Sequence, residues 1–270
     1  MDGVMKGDNA PVVLEAREDG ILRLTLNRPE QRNALSVGLM TALSQALERA
    51  AADKACRVVV IAGAGPAFCA GHDLRELREL NATSNSREAY ERVFAQCSAL
   101  MLQIIRLPKP VIAEVNGIAT AAGCQLVATC DLAVAAAEAR FATPGVNIGL
   151  FCSTPMVALS RAVGRKPAME MLLTGDLVDA VTAKAIGLVN RVVPRAELGA
   201  ATTALAQQIA AKSALTVAIG KEAFYRQAEL GLADAYRYAA QVMTRNMLAA
   251  DAAEGIDAFL DKRPPFWQDA

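Results

Sequence analysis

The segment that most constrains this chain runs from Asn116 to Asp131 and reads NGIATAAGCQLVATCD. In front of it stands a short apolar run, Val111 to Val115, which follows Pro110 and has the length of a buried strand. Behind it, Cys124 to Cys130 has helical length, and the small residues Thr120 to Gly123 make the turn between the two. A strand that turns directly into a helix leaves the first N–H groups of that helix unpaired, where the macrodipole adds positive potential. Tiny residues at Ala121, Ala122 and Gly123 let another atom approach this backbone, as an oxyanion hole requires. By itself the pattern fits a tight packing turn equally well.

A second junction repeats the arrangement. Arg57 to Gly71, RVVVIAGAGPAFCAG, is an apolar strand that ends in a Gly/Pro turn and continues as HDLREL into a helix. Two such turns can each give one N–H to a single carbonyl oxygen.

Five motifs then stand in order: NRPEQRNAL at Asn27, AFCAGHDLREL at Ala67, the Pro110 to Asp131 segment, RAVGRKPAMEMLLTG at Arg161 and EGIDAFLDKRPPFW at Glu254. On these residues, from about Val12 to Trp267, the chain resembles the enoyl-CoA hydratase/isomerase, or crotonase, superfamily. AGHDL, ATAAGCQL and ATPGVNIGLFCSTP resemble one subfamily of hydratase domain-containing proteins within it. The resemblance implies an α/β fold in which residues 1–195 form a crotonase-type spiral of repeated strand-strand-helix units. Residues 196–270 then form a C-terminal helical oligomerisation region, building a homotrimer or a dimer of trimers. It also implies an acyl-CoA substrate of fatty-acid metabolism, lyase chemistry, and no cofactor beyond the coenzyme A of the substrate thioester.

Carried over residue by residue, the resemblance puts the two oxyanion-hole N–H groups at His72 and Ala122. It puts Ala34, Ala70, Asp73, Leu74, Arg75, Asn147 and Cys152 beside the substrate. Arg28, Arg32, Lys262 and Arg263 are its candidates for the coenzyme A phosphates, with Lys221 a further basic residue. His72 is the single histidine and lacks partners at ligand spacing, so no metal is expected. Its side chain reads as a local packing or hydrogen-bonding group, and Asp73 as the cap of the following helix.

One departure is chemical. Hydratases of the superfamily position and activate water with two glutamates, and the matching positions here are Gln125 and Gly145. A glutamine has no proton to exchange near neutral pH, and a glycine has no side chain at all. General acid/base groups contribute about a hundred- to ten-thousand-fold each, so hydration is expected to be weak. The alternatives are decarboxylation of a malonyl-type acyl-CoA, which needs mainly the oxyanion hole, and acyl-CoA binding without catalysis. Glu114, a charge within an apolar strand, can face solvent, a subunit contact or the site.

Composition agrees with a soluble globular protein: 53% of residues are hydrophobic, and 28 basic residues balance 28 acidic ones. No basic stripe suggests nucleic acid and no apolar stretch is long enough to span a bilayer. The six cysteines sit mostly in apolar runs and read as core residues of a reducing compartment. The polar start, MDGVMKGDNA, reads as a flexible tail without a targeting segment, so a cytoplasmic location is expected. Ser36 should cap a helix with Val37, Met40, Leu43 and Leu47 on its apolar face, and a longer helix should run from Arg87 to Ile105. The segment from Arg75 to Ser86 should be the most mobile, and Asp251 with Glu254 should form a capping box.

Overall fold

Alternation of apolar residues builds the first hairpin. The computed structural model describes residues 10–81 and 85–270; the tail expected at the start of the chain lies largely outside them. Strands β1 (Val13–Glu18) and β2 (Ile21–Leu26) pair antiparallel. Leu22, Leu24 and Leu26 of β2 enter the main core, and Ile21 enters a smaller cluster on the other face. Helix α1 (Val37–Ala52) is capped by Ser36, whose Oγ accepts the Leu39 N–H at 3.1 Å. Its buried stripe runs from Leu39 to Ala50, whereas Val37, expected on it, is exposed on the first turn.

The next elements repeat one unit. Strand β3 (Val58–Gly63) leads to β4 (Ala67–Cys69) and α2 (Leu74–Asn81); helix α3 (Ser86–Arg106) then covers the core. Strand β5 (Val111–Val115) leads to β6 (Ile118–Thr120) and α4 (Ala122–Thr129), and β7 (Leu132–Ala136) leads to β8 (Arg140–Ala142) and α5 (Ser153–Ala162). These are strand-strand-helix turns of a spiral. They continue through α6 (Arg165–Thr174), β9 (Val178–Asp179), α7 (Ala180–Ala185) and β10 (Arg191–Val193). Helices α8 (Leu198–Ala210), α9 (Ala214–Gln227), α10 (Leu232–Met247) and α11 (Ala250–Leu260) complete the chain.

Among the described residues the first strand of each unit joins a six-stranded sheet, in the order β1-β2-β3-β5-β7-β10, and the second joins a four-stranded sheet, β4-β6-β8-β9. The large sheet is parallel from β2 to β10 and covered on both faces, which explains its uninterrupted apolar runs. Val59, Ile61, Ala113 and Val115 face the main core, while Val58, Val60, Ile112 and Val134 face Leu198 and Leu205 of α8. No helix among the described residues is long and apolar enough to cross a membrane.

Several local expectations are corrected. Within the segment from Arg75 to Ser86, the residues up to Asn81 belong to helix α2, and residues 82–84 lie outside the described ones. The turn expected from Thr120 begins one residue later, because Thr120 closes β6, a strand too short to show alternation. Asp251 and Glu254 do not cap α11. Buried Asp251 accepts the N–H groups of Gln268 and Asp269, and Glu254 binds Arg263 and the Phe266 N–H, so both carboxylates fasten the last residues of the chain. Glu114 pairs with Arg23 of β2 at 2.6 Å, on the face of the sheet where Arg23 also reaches Thr203 of α8. This intrachain pair is none of the three settings open to Glu114 from sequence.

Candidate functional site

The two junctions meet at one point. Gly71, after β4, has φ of +94°, and a Cβ there would lie 2.8 Å from Ala121 Cβ and 3.3 Å from Ala122 N. Gly123 packs so closely beneath β4 that any side chain would strike the Cys69 carbonyl. Glycine at these positions lets the start of α4 lie against the AGHDL turn. Ala121 takes φ 50° and ψ −118° to make the bend, an unusual conformation for a residue with a Cβ, and its N–H is held by the Ala142 carbonyl at 2.9 Å.

That bend frees two backbone donors. The first intrahelical bond of α4 runs from Gln125 N to the Ala121 carbonyl, so the Ala122 N–H has no partner within the helix, and no side chain caps it. On the other side, Leu35 bridges His72 in parallel fashion by using its two neighbours: the Gly71 carbonyl accepts from Leu35, and the Asp73 N–H donates to it. In such a ladder the central residue points its own N–H away from the bridging strand. The His72 N–H is therefore directed off Leu35. Both donors stand beside the contact between Gly71 and Ala121.

The His72 imidazole packs edge-on against Phe94 of α3, with centroids 5.5 Å apart, and its Nε2 is buried without a hydrogen-bond partner among the described residues. Burial lowers its pKa, so the ring is neutral near pH 7. Asp73 starts α2 by accepting the Arg75 N–H at 3.1 Å and pairs with Arg28 Nη2 at 2.9 Å. Burial alone would raise the Asp73 pKa, but the Arg28 guanidinium and the Arg75 N–H outweigh it and hold the carboxyl below its usual value. The other arm of Arg28 donates to the Ala34 carbonyl at 2.7 Å. Arg28 is thus corrected from a free phosphate ligand to the tie between the NRPEQRNAL loop and the AGHDL turn.

Gln125 is 4% exposed on the first turn of α4. Its Oε1 faces the Cys97 Sγ of α3 at 4.0 Å, and burial raises that thiol to about 11, so it remains a donor. Gly145 is buried, and a Cβ on it would lie 2.7 Å from the Leu150 carbonyl oxygen and 2.9 Å from Cys152 Sγ. The Cys152 thiol therefore occupies the space a side chain at position 145 would need. Burial keeps Cys152 protonated, as it does Cys124. Thr143 Oγ1, on the residue after Ala142, is buried without a partner among the described residues. From sequence, Thr143 stands in the ATPGVNIGLFCSTP loop without a basic partner, and Phe94 and Cys97 stand on the apolar face of the helix from Arg87 to Ile105; what brings Phe94 to His72 and Cys97 to Gln125 is tertiary.

The remaining positions divide. Ala34 and Ala70 border the junction, with Ala70 N bonded to the Arg32 carbonyl and its own carbonyl accepting from Thr120 Oγ1. Leu74 and Arg75 are exposed at the start of α2. Asn147 is exposed beside Gly175, at the end of α6. Arg32 and Lys262 are exposed, whereas Arg263 is held by Glu254 in a two-pronged ion pair at 2.7 and 2.9 Å. Lys221 is buried and donates to the Ile104 and Lys109 carbonyls and to Asp131, which also accepts from Tyr225. Lys221 is therefore corrected from a free phosphate ligand to an internal brace, while Arg263 stays exposed in its pair with Glu254. A groove of about 2010 Å³ between α3, α4, α5 and α9 is lined by Met101, Gln125, Val127, Val157, Leu215 and Phe224, and by neither His72 nor Ala122. Among the described residues no cluster of three or more His, Cys, Asp or Glu could hold a metal.

Residues 16–270 match the family model described as enoyl-CoA hydratase/isomerase. The chain is 47% identical over 259 residues to the Xenopus laevis protein named enoyl-CoA hydratase domain-containing protein 3, mitochondrial, covering 96% of this chain and 87% of that one. The crystal structure of a Mycobacterium smegmatis enoyl-CoA hydratase matches with a TM-score of 0.92 at 54% identity, over 96% of this chain and 99% of that one. That of human enoyl-CoA hydratase domain-containing protein 3 matches with a TM-score of 0.90 at 46% identity, over 95% and 100%. The cytoplasmic location expected from sequence is overturned, because the animal relatives are named as mitochondrial proteins.

Proposed function

This chain belongs to the enoyl-CoA hydratase/isomerase family, and from that premise we propose that it processes an acyl-CoA thioester by holding the carbonyl oxygen between the His72 and Ala122 N–H groups. The supporting observation is the meeting of two strand-to-helix junctions at Gly71 and Ala121, with one backbone donor on each side that has no partner among the described residues. Each such donor is worth about a hundred- to a thousand-fold in rate where negative charge builds on the oxygen. The site is an enolate-stabilising one. Coenzyme A enters as part of the substrate, with Arg32, Arg75 and Lys262 the exposed cations available to its phosphates.

Hydration is weak in this reading. Gln125 and Gly145 supply no carboxylate, Asp73 is committed to Arg28, and His72 presents no partnered base. The protein acts as an oligomer, a homotrimer or a dimer of trimers, which would cover exposed apolar residues of its last helices such as Leu232, Tyr236 and Phe259. Saturating kinetics on crotonyl-CoA, with product masses followed for crotonyl-CoA and methylmalonyl-CoA, test the proposal. Slow or absent hydration is expected; turnover comparable to an efficient family hydratase would refute the roles given to Gln125 and Gly145.

A further inference from the structure

The turn between β3 and β4 is gripped by two side-chain amides from different parts of the chain. Asn116, just ahead of β6, donates from Nδ2 to the Gly63 and Gly65 carbonyls at 2.9 and 2.8 Å. Asn33, in the NRPEQRNAL loop, donates from Nδ2 to the Ala64 and Ala67 carbonyls at 2.9 and 2.8 Å. The corner after β5 also rests directly on this turn, because a Cβ on Gly117 would lie 2.1 Å from the Pro66 carbonyl oxygen.

Each amide leads along the backbone to one donor of the oxyanion hole. Beside Asn33 the loop follows β4 to its exit: the Arg32 carbonyl accepts the Ala70 N–H at 3.0 Å, Leu35 donates to the Gly71 carbonyl at 2.7 Å, and the Leu35 carbonyl accepts the Asp73 N–H at 3.2 Å. Those bonds run from backbone to backbone and do not choose their own register. The Asn33 amide does, since it grips Ala67 at the start of β4 while its Oδ1 accepts the Arg28 N–H at 2.9 Å. Asn33 is fully buried with φ 55°, a left-handed conformation that asparagine tolerates better than most residues with a Cβ. From Asn116 the chain passes through the three residues of β6 to the bend at Ala121 and the Ala122 donor. Asn116 Oδ1 is buried without a partner among the described residues, a cost that the two bonds donated by its nitrogen offset. Strand pairing alone would place the two junctions loosely, because β4 and β6 are short and their register shifts between Ala67 and Cys69.

We propose that Asn33 and Asn116 are positioning residues of the oxyanion hole, which grip one shared turn and thereby fix the His72 N–H relative to the Ala122 N–H. This rests on the placement of the thioester carbonyl between those two donors. Neither asparagine touches the substrate; each acts through the backbone that carries a donor, whose hydrogen bond weakens steeply when it leaves the line of the carbonyl.

Infrared difference spectroscopy of butyryl-CoA carrying carbon-13 at the thioester carbonyl, bound at saturation to the full-length protein, tests the inference. In the wild type the carbonyl band should move to lower wavenumber on binding, because two donors polarise it. Asn33→Gly keeps a residue suited to positive φ and removes the amide; in it and in Asn116→Ala the shift should shrink by about half or more as one donor leaves the line. Asp251→Ala removes the buried carboxylate that fastens the last residues of the chain, and should melt lower yet keep the full shift, which separates donor placement from general loss of stability. The two asparagines are tested separately, so a variant that fails to fold leaves the other as the test. A full shift in either folded asparagine variant, or an equal loss in Asp251→Ala, would overturn the inference. No binding, or no shift in the wild type at saturation, would instead overturn the placement of the thioester itself.

Discussion

Replacing Gly145 by alanine should destabilise the protein through one overlap whose size the structure gives. The new Cβ would lie 2.7 Å from the Leu150 carbonyl oxygen and 2.9 Å from Cys152 Sγ, both inside ordinary van der Waals contact. Gly145 and Leu150 are also tied by a 2.9 Å backbone hydrogen bond, so that oxygen's segment is not free to withdraw. Overpacking of this kind costs about 1–3 kcal/mol. The smaller conformational freedom of alanine in the unfolded chain returns about 0.4–1 kcal/mol, leaving a net loss of about 1–2 kcal/mol. With an unfolding entropy of about 2.1 cal/mol/K per residue, a chain of 270 residues should melt about 2–4 °C lower. A double-mutant cycle with Cys152→Ala separates the two contacts. Removing Sγ relieves one of them, so the double variant should be more stable than additivity predicts by about 0.5–1 kcal/mol. A Gly145→Ala melting point at or above wild type, or strict additivity with Cys152→Ala, would refute the reasoning. The same overlap governs attempts to restore the hydratase pair: Gln125→Glu with Gly145→Glu should not gain hydration unless Cys152 is also truncated.

Three further outcomes are expected. Asp73→Asn should cost about 2–3 kcal/mol at pH 7 by leaving the half-buried Arg28 without its anion. Because the folded Asp73 pKa lies below its unfolded value, its contribution is present above about pH 3.8 and is lost as pH falls through the folded value; urea unfolding at pH 7 and pH 3 should show the variant converging on wild type. His72, the single histidine, has a folded pKa below 6.5, so acidification below pH 6.5 favours the unfolded state; His72→Phe should flatten that part of the stability profile, and a ring resonance titrating at or above 6.5 would contradict the burial argument. Ala121→Gly should be neutral to about 1 kcal/mol more stable because φ 50° is strained for alanine, while Ala121→Val should lose about 2 kcal/mol; a melting point unchanged by valine would argue against the bend.

Much of this protein was legible along the chain because it depends on neighbours in sequence. The apolar runs at Val58 and Val111, the small residues at Ala121 to Gly123 and the Ser36 cap are local signals, and they specified strands, junctions and a helix start where the structure has them. The missing glutamates are likewise a property of the sequence itself, read at Gln125 and Gly145.

What sequence could not supply is the state of side chains whose partners are far away in it. Arg28 looked free until Asp73, 45 positions on, claimed its guanidinium, and Glu114 had no visible partner until β2 brought Arg23 beside it. Asp251 and Glu254 have the spacing of a capping box, yet the end of the chain folds back and offers them better donors than their own helix. The glycine at position 145 looked like a simple deletion of a carboxylate, whereas the fold shows that space filled by the Cys152 thiol. Local periodicity encodes which face of an element is buried; the path of the backbone through space decides which polar groups meet there, and hence which remain free to act.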